Sequence, residues 1–238
     1  MKYIDAHCHI ISDADIKRAN AAGVSGFVVN ATCMDDWARV VDMSARRDIN
    51  ICGAIGIHPW YVGDAPDGWN VRLREILSEH PDMMVGETGL DKTRPNFPRQ
   101  VEIFRTHLAI AADMRRVMHV HCVGAWGDML DILRAGPRVP ALVFHSFSGA
   151  ADIMPELMRY NAYFSFGRGV LNARHARMCT AVRRADINRI LVESDAPHPD
   201  FMPWNLSDIV EKVAALRGVA PLEMADAIYN NTRKVISK

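Results

Sequence analysis

The sequence predicts an α/β fold, a single (β/α)8 barrel, from three observations. Eight short β-branched or apolar runs are spread over the whole chain, helical periodicity separates most of them, and polar side chains gather where the runs end. In order, the runs are YIDAHCHI, GFVVNAT, INICGAIGI, MMVGETGL, VMHVHC, ALVFHSFSG, AYFSFG and ILVESDAP. They begin about 20 to 35 residues apart, the length of one strand–helix unit. The segments MDDWARVVDMSARR, GWNVRLREILSEH, FPRQVEIFRTHLAIAADM and NLSDIVEKVAALRG carry the helical period. Proline near helix starts (Pro98, Pro221) and glycine in loops (Gly23, Gly136, Gly218) stand where caps and turns need them. No G-x-G-x-x-G follows a strand and no P-loop sequence occurs, so an open dinucleotide-binding sheet lacks support. The 238 residues fit one domain, 1–238, without linker, low-complexity tract or repeat.

Composition narrows the classes of partner. Lys+Arg and Asp+Glu both number 28, so no global field draws the chain to nucleic acid or to an anionic membrane. An anionic partner must be held locally. The N-terminal MKYIDAHCHIISDAD has too short an apolar run for a signal peptide, and no stretch approaches the ~20 apolar residues of a membrane span. A cytoplasmic protein with no membrane association and no obligate protein partner is expected. The five cysteines (Cys8, Cys33, Cys52, Cys122, Cys179) are odd in number and scattered, and are read as buried, reduced thiols.

The polar residues at the strand ends carry the chemistry. In Asp5-Ala6-His7-Cys8-His9 the period of two puts both imidazoles on the face toward the barrel axis, where they can share one metal ion, while Cys8 faces the helices. Asp5 shares that face and is read as a group orienting a ligand. Glu87 ends strand four between Gly86 and Gly89, which let backbone and metal approach closely, and its two oxygens could bridge two ions. His121 and His145 close strands five and six and suit a second metal. His119, two residues deeper than His121, is read as interior packing or hydrogen bonding. Asp195 ends strand eight, where it can bind the first metal and orient or deprotonate an attacking water. Glu87 and Asp195 are therefore the expected catalytic carboxylates. His58, at the end of strand three, is expected to hydrogen-bond substrate. His80, His107 and His175 fall in helices or at their ends and are read as surface or edge residues without function.

Taken in order, DAHCHI, GIHPW, GETGLD, HVHC, HSFSG and ESDAP resemble the signatures of the TatD family of metal-dependent hydrolases, within the amidohydrolase-like TIM barrels. The resemblance covers nearly the whole chain. It implies a first metal on His7, His9, Glu87 and Asp195, a second on Glu87, His121 and His145, and deoxyribonuclease or related phosphodiesterase activity. Two stretches depart from the pattern. His121-Cys122-Val123 stands where the family often has H-x-R, and HPDFMPWNLSD replaces a longer loop ending in Asn-Glu-Pro.

The leading expectation is thus hydrolysis of a phosphodiester, DNA among the candidates, with two divalent ions drawn from zinc, manganese and magnesium. From Arg159 to Arg189 the chain has seven arginines and one acid, Asp186. Arg168, just after strand seven, is nearest the rim and is assigned to substrate; most of the others read as solvated helix charges. Two other readings compete. An amidohydrolase for a cyclic amide, ester or lactone would often bridge its metals with a carbamylated lysine at the end of strand four, where this chain has Glu87. A non-catalytic nucleic-acid-binding module fits poorly with zero net charge and with so complete a set of ligands.

Overall fold

A computed structural model describes residues 1–237. Its strands are β1 (Tyr3–Cys8), β2 (Val24–Asn30), β3 (Ile51–Ile55), β4 (Met84–Asp91), β5 (Met118–Val123), β6 (Leu142–Phe144), β7 (Ala162–Phe166) and β8 (Ile190–Val192). They form one sheet in chain order, each pairing in parallel with the next. The helices between them are α1 (Asp13–Ala21), α2 (Met34–Ser44), α3 (Trp69–Glu79), α4 (Phe97–Asp113), α5 (Trp126–Ala135), α6 (Met154–Met158) and α7 (Ala176–Arg184); α8 (Leu206–Arg217) and α9 (Pro221–Ile236) follow β8. Local signals place their ends. Ser12 and Asp15 form a reciprocal capping box before α1, Pro221 opens α9, and Gly218, at a φ of 69°, stops α8.

The strand period of two sorts side chains into two environments. Outward residues such as Phe27, Val29, Met118, Val120, Phe144, Phe164, Phe166, Ile190 and Val192 pack against the helices in one large core. Inward residues build a smaller apolar layer, with Val28, Ala54, Val117, Val143, Tyr163 and Leu191, which Val235 of α9 joins. Two residues further along their strands the inward positions turn polar: Asn30, His119, His145, Ser165 and Glu193, all buried. The barrel is thus apolar below and polar toward the C-terminal ends of its strands, which is where barrel enzymes carry their chemistry.

β8 returns to β1 through a short seam. Asp195 N–H donates to the His7 carbonyl at 3.0 Å and His9 N–H donates to the Ala196 carbonyl at 2.7 Å. The Asp5 carboxylate accepts from Ser194 N at 2.9 Å and from Ser194 Oγ at 2.5 Å.

Two readings of the sequence are corrected here. His107 is not a surface residue: it is wholly buried on the inner face of α4, stacked on Trp69. Its Nε2 accepts from Ile57 N–H at 3.3 Å while Nδ1 is 2.9 Å from the Ile103 carbonyl, so the neutral ring ties α4 to the chain just ahead of His58. Cys33 and Cys52 are half-buried rather than buried, because Cys33 caps α2 and Cys52 sits at the edge of the lower apolar layer; all five thiols are unpaired.

Burial lowers the His107 ring to about 4 from an ordinary value of 6.5. Between those values the unfolded chain binds the extra proton and the folded chain does not, so stability falls as pH drops through this window. The full loss is about 3 kcal/mol, and none of it appears above pH ~7. In urea unfolding at pH 7.5 and 4.5, the native protein should therefore lose more stability on acidification than His107→Gln. An equal loss in both proteins would rule the assignment out.

Candidate metal centre

The strand geometry converges on Glu87. Glu87 does not end β4: pairing continues past it through Gly89–His121, Leu90–Cys122 and Asp91–Val123, so the carboxylate points into the barrel from mid-strand. The flanking glycines serve the neighbouring strand. A Cβ on Gly86 would meet His119 Cβ at 2.7 Å, and one on Gly89 would meet the His121 carbonyl at 1.9 Å. Glycine here lets β4 and β5 approach closely enough for their inward side chains to meet. β1, β6 and β8 are short, so His9, His145 and Asp195 stand just beyond their strands. Asp195 and Ser146 both adopt positive φ, 54° and 44°, a conformation that non-glycine residues hold only where surrounding contacts impose it.

The two oxygens of Glu87 face two groups of side chains. Oε2 is 3.3 Å from His7 Nε2 and 3.6 Å from His9 Nε2. Asp195 Oδ1 completes that group, 3.5 Å from His9 Nε2 and 3.9 Å from His7 Nε2. Oε1 is 2.7 Å from His145 Nε2, 3.2 Å from His121 Nδ1 and 3.1 Å from His58 Nε2. Ligands about 2.1 Å from one tetrahedral ion are separated by about 3.4 Å, the spacing seen in the first group. His7 Nε2 is within 3.3 Å of Glu87 yet makes no hydrogen bond, as expected of two ligands of one ion rather than a donor and its acceptor. The side chains present therefore fit divalent cations.

Outer polar groups set which ring nitrogen turns toward Glu87. His9 Nδ1 is 3.0 Å from the Asn30 carbonyl, to which its N–H donates, leaving Nε2 bare. His145 Nδ1 lies 3.5 Å from Glu193 Oε1, and His121 Nε2 lies 3.4 Å from Asp91 Oδ2, so each turns its other nitrogen to Glu87. His58 is different: its Nδ1 accepts from Trp60 N–H at 3.2 Å, which keeps the proton on Nε2, 3.1 Å from Glu87 Oε1, although with Glu87 and His121 it also forms a group close enough to hold a cation.

Asp5 orients a candidate ligand across the seam: its carboxylate holds Ser194, and Ser194 Oγ in turn accepts from Ala196 N–H at 3.1 Å, so Asp5 shapes the turn that presents Asp195. Burial pushes the Asp5 carboxyl up to about 7 against the pull of the Ser194 donors. His119 is buried beside His7, ring centroids 5.8 Å apart, with neither nitrogen hydrogen-bonded.

The electrostatics are those of carboxylates waiting for cations. Burial alone would raise Glu87, but His145 and His58 hold it well below the usual carboxylate range. Burial also opposes ionisation of Asp195, yet His9, His145 and His7 bring it to about 2. His9 is pushed up to about 9 by Asp195 and Glu87 despite its burial, and Glu87 and Glu193 likewise raise His145 well above normal. Burial and the neighbouring charges of His145 and His121 lower His7 and His58 respectively. In the metal-free chain, protons on His9 and His145 supply the positive charge that bound cations would bring.

Sequence reasoning missed Glu193 and Asp91. Glu193 Oε1 accepts from Ser146 N–H at 2.6 Å while facing His145. Asp91 accepts from Trp60 Nε1 at 2.8 Å and from Thr93 Oγ1 at 2.6 Å while facing His121. The period of two was the available signal, since Glu193 shares a face with Asp195 and Asp91 with Glu87.

A cavity of about 560 Å³ opens beside His121, His145 and Asp195. Arg168 lines it, and so do Arg177 and His175, both exposed. The short helix-like turn Arg168–Leu171 after β7 carries the first and the start of α7 carries the second.

Comparison with known proteins agrees with this architecture. An uncharacterized metal-dependent hydrolase of Methanocaldococcus jannaschii is 27% identical over 100% of this chain and 98% of its own length. A 3'-5' ssDNA/RNA exonuclease TatD of Yersinia pseudotuberculosis is 27% identical over 92% of this chain and 91% of its own. The crystal structure of a TatD homolog from Escherichia coli superposes with a TM-score of 0.90 at 24% identity, covering 99% of this chain and 98% of that one, and shows the barrel fold. The family described as TatD related DNase matches residues 4–237. The chain belongs to this family and is a metal-dependent hydrolase.

Proposed function

We propose that the chain, acting as one catalytic domain, hydrolyses phosphodiester bonds and that nucleic acid is its substrate class. The observation that carries this reading is the use of both Glu87 oxygens, each facing its own set of imidazole nitrogens. His7, His9, Asp195 and Glu87 would hold one cation, and His121, His145 and Glu87 a second. The ligand set, rich in imidazole, favours zinc over manganese and magnesium. Bound there, two cations supply polarisation of a phosphoryl oxygen and a water acidified toward neutrality.

The remaining work falls to the chain. Asp195, its side chain 40% exposed while Glu87 is buried, is the carboxylate able to reach solvent and take the proton of an attacking water. His58, with its proton on Nε2, donates to a substrate oxygen at the rim. Arg168 meets a phosphate of the substrate from the cavity side. On the other side Trp60, half exposed, rests against His58 with its Nε1 anchored on Asp91, and offers an aromatic surface to a base. The name of the Yersinia relative supports single-stranded DNA or RNA as substrate. Five unpaired thiols agree with a cytoplasmic setting, and among the described residues no helix is long and apolar enough to cross a membrane.

The test is hydrolysis of an aryl phosphodiester and a labelled single-stranded oligonucleotide by metal-stripped protein, with zinc, manganese or magnesium restored one at a time. Cleavage should return with at least one ion. Protein that binds two metals yet cleaves neither substrate would overturn the reading in favour of amide, ester or lactone hydrolysis.

A further inference from the structure

The cavity is larger than a scissile phosphate needs. A phosphoryl group displaces only a few water volumes of about 30 Å³ each, whereas the cavity beside His145 and Asp195 measures about 560 Å³. Its lining carries two guanidinium groups, Arg168 and Arg177, and Asp195 is the one acid among its lining residues. Among the described residues neither arginine takes part in an ion pair, in contrast to Arg184, which is paired with Asp152. Their supporting loop is tied down. His175 Nδ1 is 3.0 Å from the Gly169 carbonyl, to which it donates, His175 N–H donates to the Asn172 carbonyl at 3.0 Å, and Asn172 Oδ1 accepts from Arg174 N–H at 3.0 Å. The two arginines are therefore presented from one braced segment. Met178 and Val123 give the same cavity apolar surface.

We infer that this cavity is a subsite for a second phosphate, one nucleoside away from the bond being cut, with Arg168 and Arg177 binding that phosphate and Met178 and Val123 flanking the nucleoside between. Guanidinium groups suit a phosphate dianion because they donate in pairs. The inference rests on the phosphodiesterase reading and adds to it a preference: the substrate is a strand whose end bears a phosphate, and Arg177 is a specificity-determining residue.

The experiment compares kcat/KM for dinucleotides with and without a terminal phosphate, at the 5' and at the 3' end, in native protein reconstituted with its active ion. An aryl phosphodiester serves as reference. Native protein should prefer one of the end-phosphorylated dinucleotides by about ten- to hundredfold. In Arg177→Gln that ratio should fall toward one, carried by KM, and Arg177→Lys should restore part of it. Arg168→Gln provides the same readout should Arg177→Gln fail to fold. A native ratio near one at both ends, or a ratio unchanged in Arg177→Gln, overturns the subsite while leaving aryl phosphodiester hydrolysis standing. Absence of aryl phosphodiester hydrolysis overturns the reading beneath it.

Discussion

Glu87→Gln is expected to empty the metal centre and to lower turnover of an aryl phosphodiester by at least about a thousandfold. Glu87 is buried and is the one residue whose two side-chain atoms serve both groups, with Oε2 toward His7 and His9 and Oε1 toward His121 and His145. Glutamine keeps the volume, but it turns one ligand oxygen into an amide nitrogen that cannot ligate and removes the charge that five imidazoles surround. Metal content of reconstituted protein, measured beside turnover, separates loss of ions from loss of chemistry. Full metal content with native turnover would show that Glu87 does not bridge.

Asp195→Asn should behave differently. Asparagine leaves an oxygen facing His7 and His9, so part of the metal content survives, while the group able to accept a proton is gone. The expected result is a fall in kcat of about a hundred- to ten-thousandfold with KM within about threefold of native. Asp195 lies at about 2 in the folded chain, so it is ionised throughout any practical assay range and the native rate should show no titration of this carboxylate. A kcat within tenfold of native would move the proton acceptor elsewhere, with Glu193 the next residue to change.

The contrast between these residues explains what could be read from sequence. Strand alternation is a strong local signal, and it places His7, His9, His121, His145 and Asp195 around one rim. Position along a strand was less legible. Glu87 looks terminal because glycine follows it, yet the glycines are spaced for contact with His119 and His121, and only the neighbouring strand reveals that need. His107 shows the same limit in a helix, where one imidazole on an amphipathic segment carries no local sign that Ile57 N–H will meet it. Arg177 is one of seven arginines in a stretch with a single acid, and nothing in its neighbours distinguishes it; the fold does so by bringing the start of α7 to the cavity.

The seam between β8 and β1 gives the centre a second consequence. His7 and His9 come from the first strand of the barrel and Asp195 from just past the last, and Asp5 reaches Ser194 across 189 positions of chain. An ion held by these three residues is a clasp that closes a loop comprising most of the molecule. Closing so long a loop withdraws conformational freedom chiefly from the unfolded chain. By linkage, each tenfold rise of free cation above its dissociation constant adds about 1.4 kcal/mol to folding. Catalytic competence and the integrity of the barrel's last joint would then be governed by the same cation concentration, and withholding the ion would loosen the fold as it silences the enzyme.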